Sequence, residues 1–337
     1  MSTAPPHPAL DPSFTVQFWG VRGNIPTPGP QWLTFGGNTA CVEVKIGETC
    51  LILDGGTGLR QLGQQLLSAG ATRAHLFFTH THWDRIQGFP FFEPAFHPHN
   101  HLHIYGGTAI NGASIKQCLM AQMVRPNFPI ALPRMQAKLH FRDLAPGDQL
   151  TLEPVQGEAI TVETGSLNRH SRALGYRITW KNHTVVYATD VYPSDQPDPA
   201  VLYLARGADL LIYDVAQDPI DLNAYAAVPV ATVPADRVRT DLANAAESKD
   251  TRAKDTGAKD TAPTPTAGLL PEPPLAETIW QPGLSIAQAA GVKQLVLFHH
   301  HPGYEDEQLL SLEQKLQQLS PQTPCCHLAR EGMCLEV

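Results

Sequence analysis

The sequence predicts an α/β fold of sheets covered by helices, and three observations carry that expectation. β-rich runs at 14–21, 41–46 and 50–54 are broken by Gly and Pro. Over 57–69 the spacing of Leu59, Leu62, Leu66 and Leu67 is helical, and the next run, 74–78, reads as a buried strand ending in a histidine-rich turn. Two later apolar runs, 210–215 and 294–299, are short and continuous, as central strands are.

Taken in order, the three N-terminal runs suit an antiparallel meander. The strand–helix–strand unit after them puts polar chemistry at a strand's carboxyl end, where α/β sheets usually build ligand sites. Further strands are expected at 101–105, 138–141, 159–163, 176–180 and 184–189, with Lys181-Asn182 turning a hairpin, and a short helix at 285–290. Residues 226–277 have another character: Ala, Pro, Thr, Asp and Lys dominate, and Lys-Asp-Thr recurs at 249–251, 254–256 and 259–261. Such a segment has too little apolar surface to offset the entropy of ordering. It is expected to be a disordered insertion dividing one domain into 1–225 and 278–337.

At 337 residues and 42% hydrophobic content the chain can bury a sizeable core. No run approaches the roughly 18 to 20 apolar residues of a membrane span, so a cytoplasmic protein without membrane contact is expected. A net charge of −8 argues against a surface that neutralises nucleic-acid phosphates. The six cysteines lack Cys-x-x-Cys spacing and read as free, mostly buried thiols.

The chemistry concentrates in Thr79-His80-Thr81-His82-Trp83-Asp84-Arg85. Two histidines at i and i+2 with a carboxylate at i+4 on a turn can converge on a divalent metal. The same spacing also describes residues that merely cap a helix start. The flanks add Phe18-Trp19-Gly20-Val21-Arg22-Gly23, Gly36-Gly37-Asn38-Thr39 and Leu53-Asp54-Gly55-Gly56-Thr57-Gly58. Thr189-Asp190, Tyr213-Asp214 and Leu297-Phe298-His299-His300 follow in order. With these motifs the chain resembles the metallo-β-lactamase superfamily, in its RNase Z and cyclic-phosphodiesterase-like branch, over nearly its whole length outside the insertion.

The resemblance implies an αββα four-layer sandwich and a binuclear zinc or manganese site that activates a bridging water against a phosphodiester. It implies that His80 and His82 hold the first metal, Asp84 the second, that Asp190 bridges both, and that His299 or His300 is a distal histidine. The metal set so implied is His80, His82, Asp84, Asp190 and His300, with Asp84 and Asp190 catalytic.

Several positions depart from that pattern. Arg85 stands at the motif's final histidine, and a guanidinium has no lone pair to give a cation. Aligning Leu167-Asn168-Arg169-His170 puts Arg169 at another ligand position, with His170 one step out of register. No histidine lies between His183 and His299, and His301 stands where the family has an aspartate. Two divalent ions would set +4 against Asp84 and Asp190, whereas Arg85 and Arg169 set +2 against the same pair. A divalent ion about 5 Å from a guanidinium is repelled by roughly 6 to 7 kcal/mol at an effective dielectric of ~20.

The expected function is therefore a phosphodiesterase-like protein with a degenerate metal site, a pseudoenzyme with weak or no hydrolysis and zinc, manganese or no metal at all. Its ligand would be a phosphate-containing small molecule or nucleotide, held by Arg85, Arg169 and His300. One alternative is a one-metal hydrolase using His80, His82, Asp190 and His170; another is an adaptor acting through the insertion. The sequence is compatible with a homodimer. Among smaller features, His97, His99, His101 and His103 alternate and are expected on a polar loop and strand edge. Trp83 and Phe89-Pro90-Phe91-Phe92 are expected in the core and pocket wall. Gly36-Gly37 and Gly55-Gly56 read as tight-turn glycines, and Asp54 as an acceptor that orients a histidine or caps its turn.

Overall fold

The computed structural model describes residues 13–70, 72–191, 197–214, 280–318 and 324–337. The chain divides into two units, Met1–Gln217 with Pro274–Val337, and Asp218–Pro273. The second unit and the expected insertion at 226–277 lie outside the described residues.

In the first unit β1 (Phe14–Gly20), β2 (Cys41–Ile46) and β3 (Thr49–Leu53) form the antiparallel meander. The chain then continues in parallel through β4 (Arg73–Phe78), β5 (His101–Gly107) and β6 (Lys138–Leu144). Helix α1 (Gly58–Ser68) makes the β3-to-β4 crossover and buries Leu59 and Leu62. After β4 come α2 (Trp83–Ile86) and α3 (Ile115–Ala121), the latter opened by a capping box between Ser114 and Gln117. A second sheet comprises β7 (Gln149–Val155), β8 (Glu158–Asn168), β9 (Ala173–Trp180), β10 (His183–Ala188), β11 (Leu210–Asp214), β12 (Gln294–Phe298) and β13 (Cys325–Leu328). The remaining helices are α4 (Pro199–Ala205), α5 (Gln281–Ala290) and α6 (Asp306–Gln317). Strand β14 (Cys334–Glu336) returns to pair with β1, giving sheet orders β14-β1-β2-β3-β4-β5-β6 and β13-β12-β11-β10-β9-β8-β7.

Three apolar clusters separate four layers. Phe14, Phe18, Phe77, Tyr176, Tyr187 and Phe298 fill the space between the sheets. Leu204, Ile286, Leu309 and Leu312 seal α4, α5 and α6 to the second sheet, and Leu59, Leu62, Ile115 and Leu119 seal α1 and α3 to the first. Full burial of one such side chain stabilises by about 2 kcal/mol. The layering is helix, sheet, sheet, helix, the αββα sandwich the sequence predicts.

Local differences have physical causes. The β9–β10 hairpin turns with Lys181 at φ 53°. Helix α5 starts at Gln281, ahead of 285, and stops where Gly291 takes φ 68°. Gly55, Gly56 and Gly88 serve close approach: a Cβ on Gly88 would sit 1.9 Å from the Gly56 carbonyl oxygen. Only Cys41 and Cys50 of the six thiols are buried, so the expectation of mostly buried cysteines fails. His101 and His103 lie on β5, while the histidines that meet are in register across three strands. The His75, His103 and His140 rings stack with successive centroids 4.9 Å apart.

Candidate functional site

The carboxyl ends of five strands deliver the site. Asp54 follows β3, Thr79 and His80 follow β4, Asp190 follows β10, Asp214 closes β11 and His299 follows β12. Asp54, Asp190 and His299 have φ of 58°, 63° and 64°. Left-handed conformations of this kind cost side-chain-bearing residues about 1 kcal/mol or more each and cluster at functional positions.

Arg85 sits on the single turn of α2, fully buried, at the centre of these ends. Its Nη1 donates to Asp54 Oδ2 at 2.9 Å, to Thr189 Oγ1 at 3.1 Å and to the Tyr187 hydroxyl at 3.2 Å. Nε lies 3.2 Å from Asp84 Oδ2 and Nη2 3.9 Å from Asp214 Oδ2, as charge contacts without hydrogen-bond alignment. One guanidinium thus meets three buried carboxylates. Although burial opposes its charge, Tyr187, Asp54, Asp84 and Asp214 hold it as a cation, with its pKa raised further above the ordinary arginine value. Burial lifts the Asp54 pKa, against Arg85, Thr79 and Tyr187.

His299 closes the cluster. Its Nε2 is 2.9 Å from Asp84 Oδ2 and its Nδ1 3.2 Å from Asp214 Oδ1. Burial and the Arg85 charge work against its protonation, but contacts with both carboxylates prevail and raise its pKa to about 9. The same contacts outweigh burial at Asp84 and Asp214 and hold both carboxyls below the usual range. His299 therefore supplies the second positive charge that the sequence assigns to Arg169.

His80 faces Asp190 on the other side, its Nε2 3.8 Å from Asp190 Oδ2. Burial first, then Arg85 and His82, push the His80 pKa well down, so the ring is neutral. Thr79 Oγ1 lies 3.0 Å from both Asp54 oxygens and 3.0 Å from His80 Nδ1. With the single hydroxyl proton donated to Asp54, His80 Nδ1–H donates to Thr79 and its Nε2 carries the lone pair. Asp54 thus orients His80 through Thr79. Asp190 Oδ2 accepts from Ser171 Oγ and from Asn168 Nδ2, the latter at 3.4 Å. Burial raises the Asp190 pKa against Ser171 and Arg85.

The donors do not fit a pair of metal ions. Asp84 Oδ2 already meets both His299 and Arg85, and the Arg85 guanidinium fills the space between Asp54, Asp84 and Asp214. Among the described residues no group of three or more His, Cys, Asp or Glu side chains is arranged to hold a metal.

Of the residues the sequence singles out, the structure joins His80, Asp84, Arg85 and Asp190 to this cluster. His82 touches the His80 ring, with centroids 4.3 Å apart, but is itself exposed. Arg169 stands outside the cluster, exposed on the β8–β9 tip. His300 also lies elsewhere: its Nε2 meets the Ala329 carbonyl at 2.8 Å, its ring packs on Phe35, and burial and Arg22 lower its pKa to about 3. His299 faces the site, whereas His300, bridged to Arg22, points towards Phe35 and the Ala329 carbonyl. Trp83, expected in the core, is 72% exposed. Sequence reasoning gave no role to Thr79, Tyr187, Ser171 and Asp214 in this cluster. Of these, only Asp214 carried a signal, a carboxylate closing an apolar run.

Residues 49–243, more than half of the chain, match the beta-lactamase superfamily domain, and the chain belongs to that superfamily. The metallo-beta-lactamase fold protein YhfI from Bacillus subtilis is similar at 19% identity and TM-score 0.57, over 97% of this chain and 100% of that one. A human tRNase Z, short form, is similar at 16% identity and TM-score 0.51, over 95% and 98%. A diphosphatase from the PhnP family is similar at 15% identity and TM-score 0.53, over 96% and 98%. At these identities the likeness is one of fold. No curated protein matches the sequence. No helix among the described residues is long and apolar enough to cross a membrane.

Proposed function

We propose that this protein is a phosphodiesterase-like member of its superfamily in which internal ion pairs stand in the place of the metals, and that it binds a phosphate-containing ligand with weak or no hydrolysis. The observation that carries this reading is Arg85, buried among Asp54, Asp84 and Asp214. A divalent ion there would face the guanidinium at short range, at a cost of several kcal/mol, and would find the carboxylate lone pairs engaged. The phosphate-bearing ligand class is supported by the tRNase Z and diphosphatase among its structural neighbours.

Elemental analysis of the purified chain tests the metal half of the reading. Substoichiometric zinc and manganese are expected, together with turnover of bis-p-nitrophenyl phosphate at or near background and insensitive to chelator. A pair of metal ions per chain would overturn it. Arg85→His, which restores an imidazole and removes a charge, is expected to raise bound metal. A second reading, a one-metal hydrolase, draws on the approach of His80 to Asp190 and of His82 to His80. Chelator-sensitive turnover abolished by His82→Ala would favour it.

A further inference from the structure

Beside the ion-pair cluster lies a cavity of about 330 Å³ that shares with the metal site of the resemblance one position, Arg169. It opens between the end of β5, the β6–β7 turn and the β8–β9 tip. Arg169 and Arg172 line it from the tip, with Thr108, Ser166 and Asn168 as neighbouring polar side chains. Leu144 and Leu174 supply apolar wall, and no carboxylate among the described residues lines the cavity. In a chain of net charge −8, two arginines facing one cavity with no acid among its described lining residues is an electrostatic specialisation.

Among the described residues neither arginine is held by a carboxylate. Arg172 donates one bond, from Nη1 to the Ala109 carbonyl at 3.2 Å, and neither forms an ion pair among the described residues. The tip itself is fixed. Asn168 Oδ1 accepts from the backbone of His170 at 2.9 Å and of Ser171 at 3.4 Å. Asn168 Nδ2 and Ser171 Oγ bind Asp190, and Leu174 N bonds Thr79 O at 2.9 Å. Two forked donors on an anchored loop suit a tetrahedral oxyanion better than a point charge would. The volume falls in the range of small-molecule sites.

We propose that this cavity is the ligand site of the protein and takes a phosphate monoester with a compact apolar group, its phosphate between Arg169 and Arg172 and its apolar part against Leu144 and Leu174. The proposal rests on the phosphate-binding reading above and moves that binding away from Arg85, whose donors face the protein's own carboxylates. Metal plays no part in it.

Isothermal titration of the full chain with phenyl phosphate, in chelator and at low salt, tests it. Wild type is expected to bind phenyl phosphate more tightly than inorganic phosphate and not to bind phenol. Arg169→Ala/Arg172→Ala should weaken binding by about tenfold or more with an unchanged thermal midpoint, and the Arg169→Lys/Arg172→Lys variant should lie between. Binding of phenyl phosphate by the alanine double variant as tightly as by wild type would overturn the location while leaving the phosphate-binding reading intact. Absence of binding by wild type at millimolar ligand would overturn both.

Discussion

Arg85 and Arg169 occupy equivalent places in the sequence pattern, each standing where the resemblance expects a metal-ligating histidine, yet the fold uses them in opposite ways. Arg85 is buried between three carboxylates and two hydroxyls. Arg169 is exposed on a hairpin tip and makes no ion pair among the described residues. The difference follows from the backbone beneath them. The turn of α2 is pinned by the Gly55 N–H, which donates to the Arg85 carbonyl at 2.7 Å, and the Arg85 side chain is buried among the strand ends. The tip after β8, at the ends of β8 and β9, is exposed at Arg169. Arginine at a position where the resemblance implies histidine is therefore not one kind of feature: in one place it is spent on buried carboxylates, in the other it is exposed and without an ion pair among the described residues.

The largest test breaks the first half of this comparison. Arg85→Met keeps the volume and removes the charge, leaving Asp54, Asp84 and Asp214 with His299 as their nearest cation. Removing one partner of a buried charge network typically costs 3 to 5 kcal/mol, and a loss of about 4 kcal/mol is expected in urea unfolding. A loss below about 1 kcal/mol would mean that the carboxylates take up protons instead and that the cluster is not held by Arg85. Arg85→Lys keeps the charge but not the planar fork, leaving Tyr187, Thr189 and at least one carboxylate without their donor. A loss of about 2 to 3 kcal/mol is expected.

A cluster that lacks a buried guanidinium sharpens the contrast. At the other ends of the strands His75 stacks on His103, 3.4 Å from the Tyr105 hydroxyl and 3.4 Å from Glu153 Oε2. Burial, then His103, lower the His75 pKa to about 4, with Glu153 opposing. Between about 6.5 and 4 the unfolded histidine binds a proton that the folded one refuses, so stability falls as the pH falls through that window. A shift of that size corresponds to a loss of about 3 kcal/mol, and screening of the half-exposed Glu153 does not reduce it, because Glu153 opposes the shift. His75→Phe, which preserves the stack, should flatten the slope of unfolding free energy from pH 6.5 to 4. An unchanged slope would place the titration elsewhere.

Much of the fold was legible because it rests on local pattern. The alternation of Phe14, Val16 and Phe18, the leucine spacing of α1 and the continuous apolar runs of β4, β11 and β12 each specify an element and its buried face. Edge strand β7, C-terminal strands β13 and β14, and helices α3, α4 and α6 were not expected, since they are short, mixed in polarity or fixed by contacts remote in sequence. In the site, Asp84 and Arg85 were visible through the motif. The pairing of Arg85 with Asp54 and Asp214 was not, because it joins three strand ends that only the closed sandwich brings together. His299 and His300 show the same limit: neighbours in sequence, they face opposite sides, and only β12's register with β11 decides which one meets the carboxylates.

The smallest expected effect completes the comparison. Arg169→Ala removes a charge from an exposed tip where the side chain makes no ion pair among the described residues. The tip is held instead by Asn168 and Ser171 on Asp190. Exposed substitutions away from caps and buried networks usually change stability by less than about 0.5 kcal/mol, so the urea midpoint should stay at the wild-type value within error. If Arg169 were a structural counter-ion to Asp190, as the charge count in the sequence suggests, its removal would instead cost 1 kcal/mol or more, on the scale of a lost charge-assisted hydrogen bond. A stable Arg169→Ala beside a crippled Arg85→Met would separate the two arginines by function. One belongs to the fold's internal electrostatics, and the other is left free to meet a ligand.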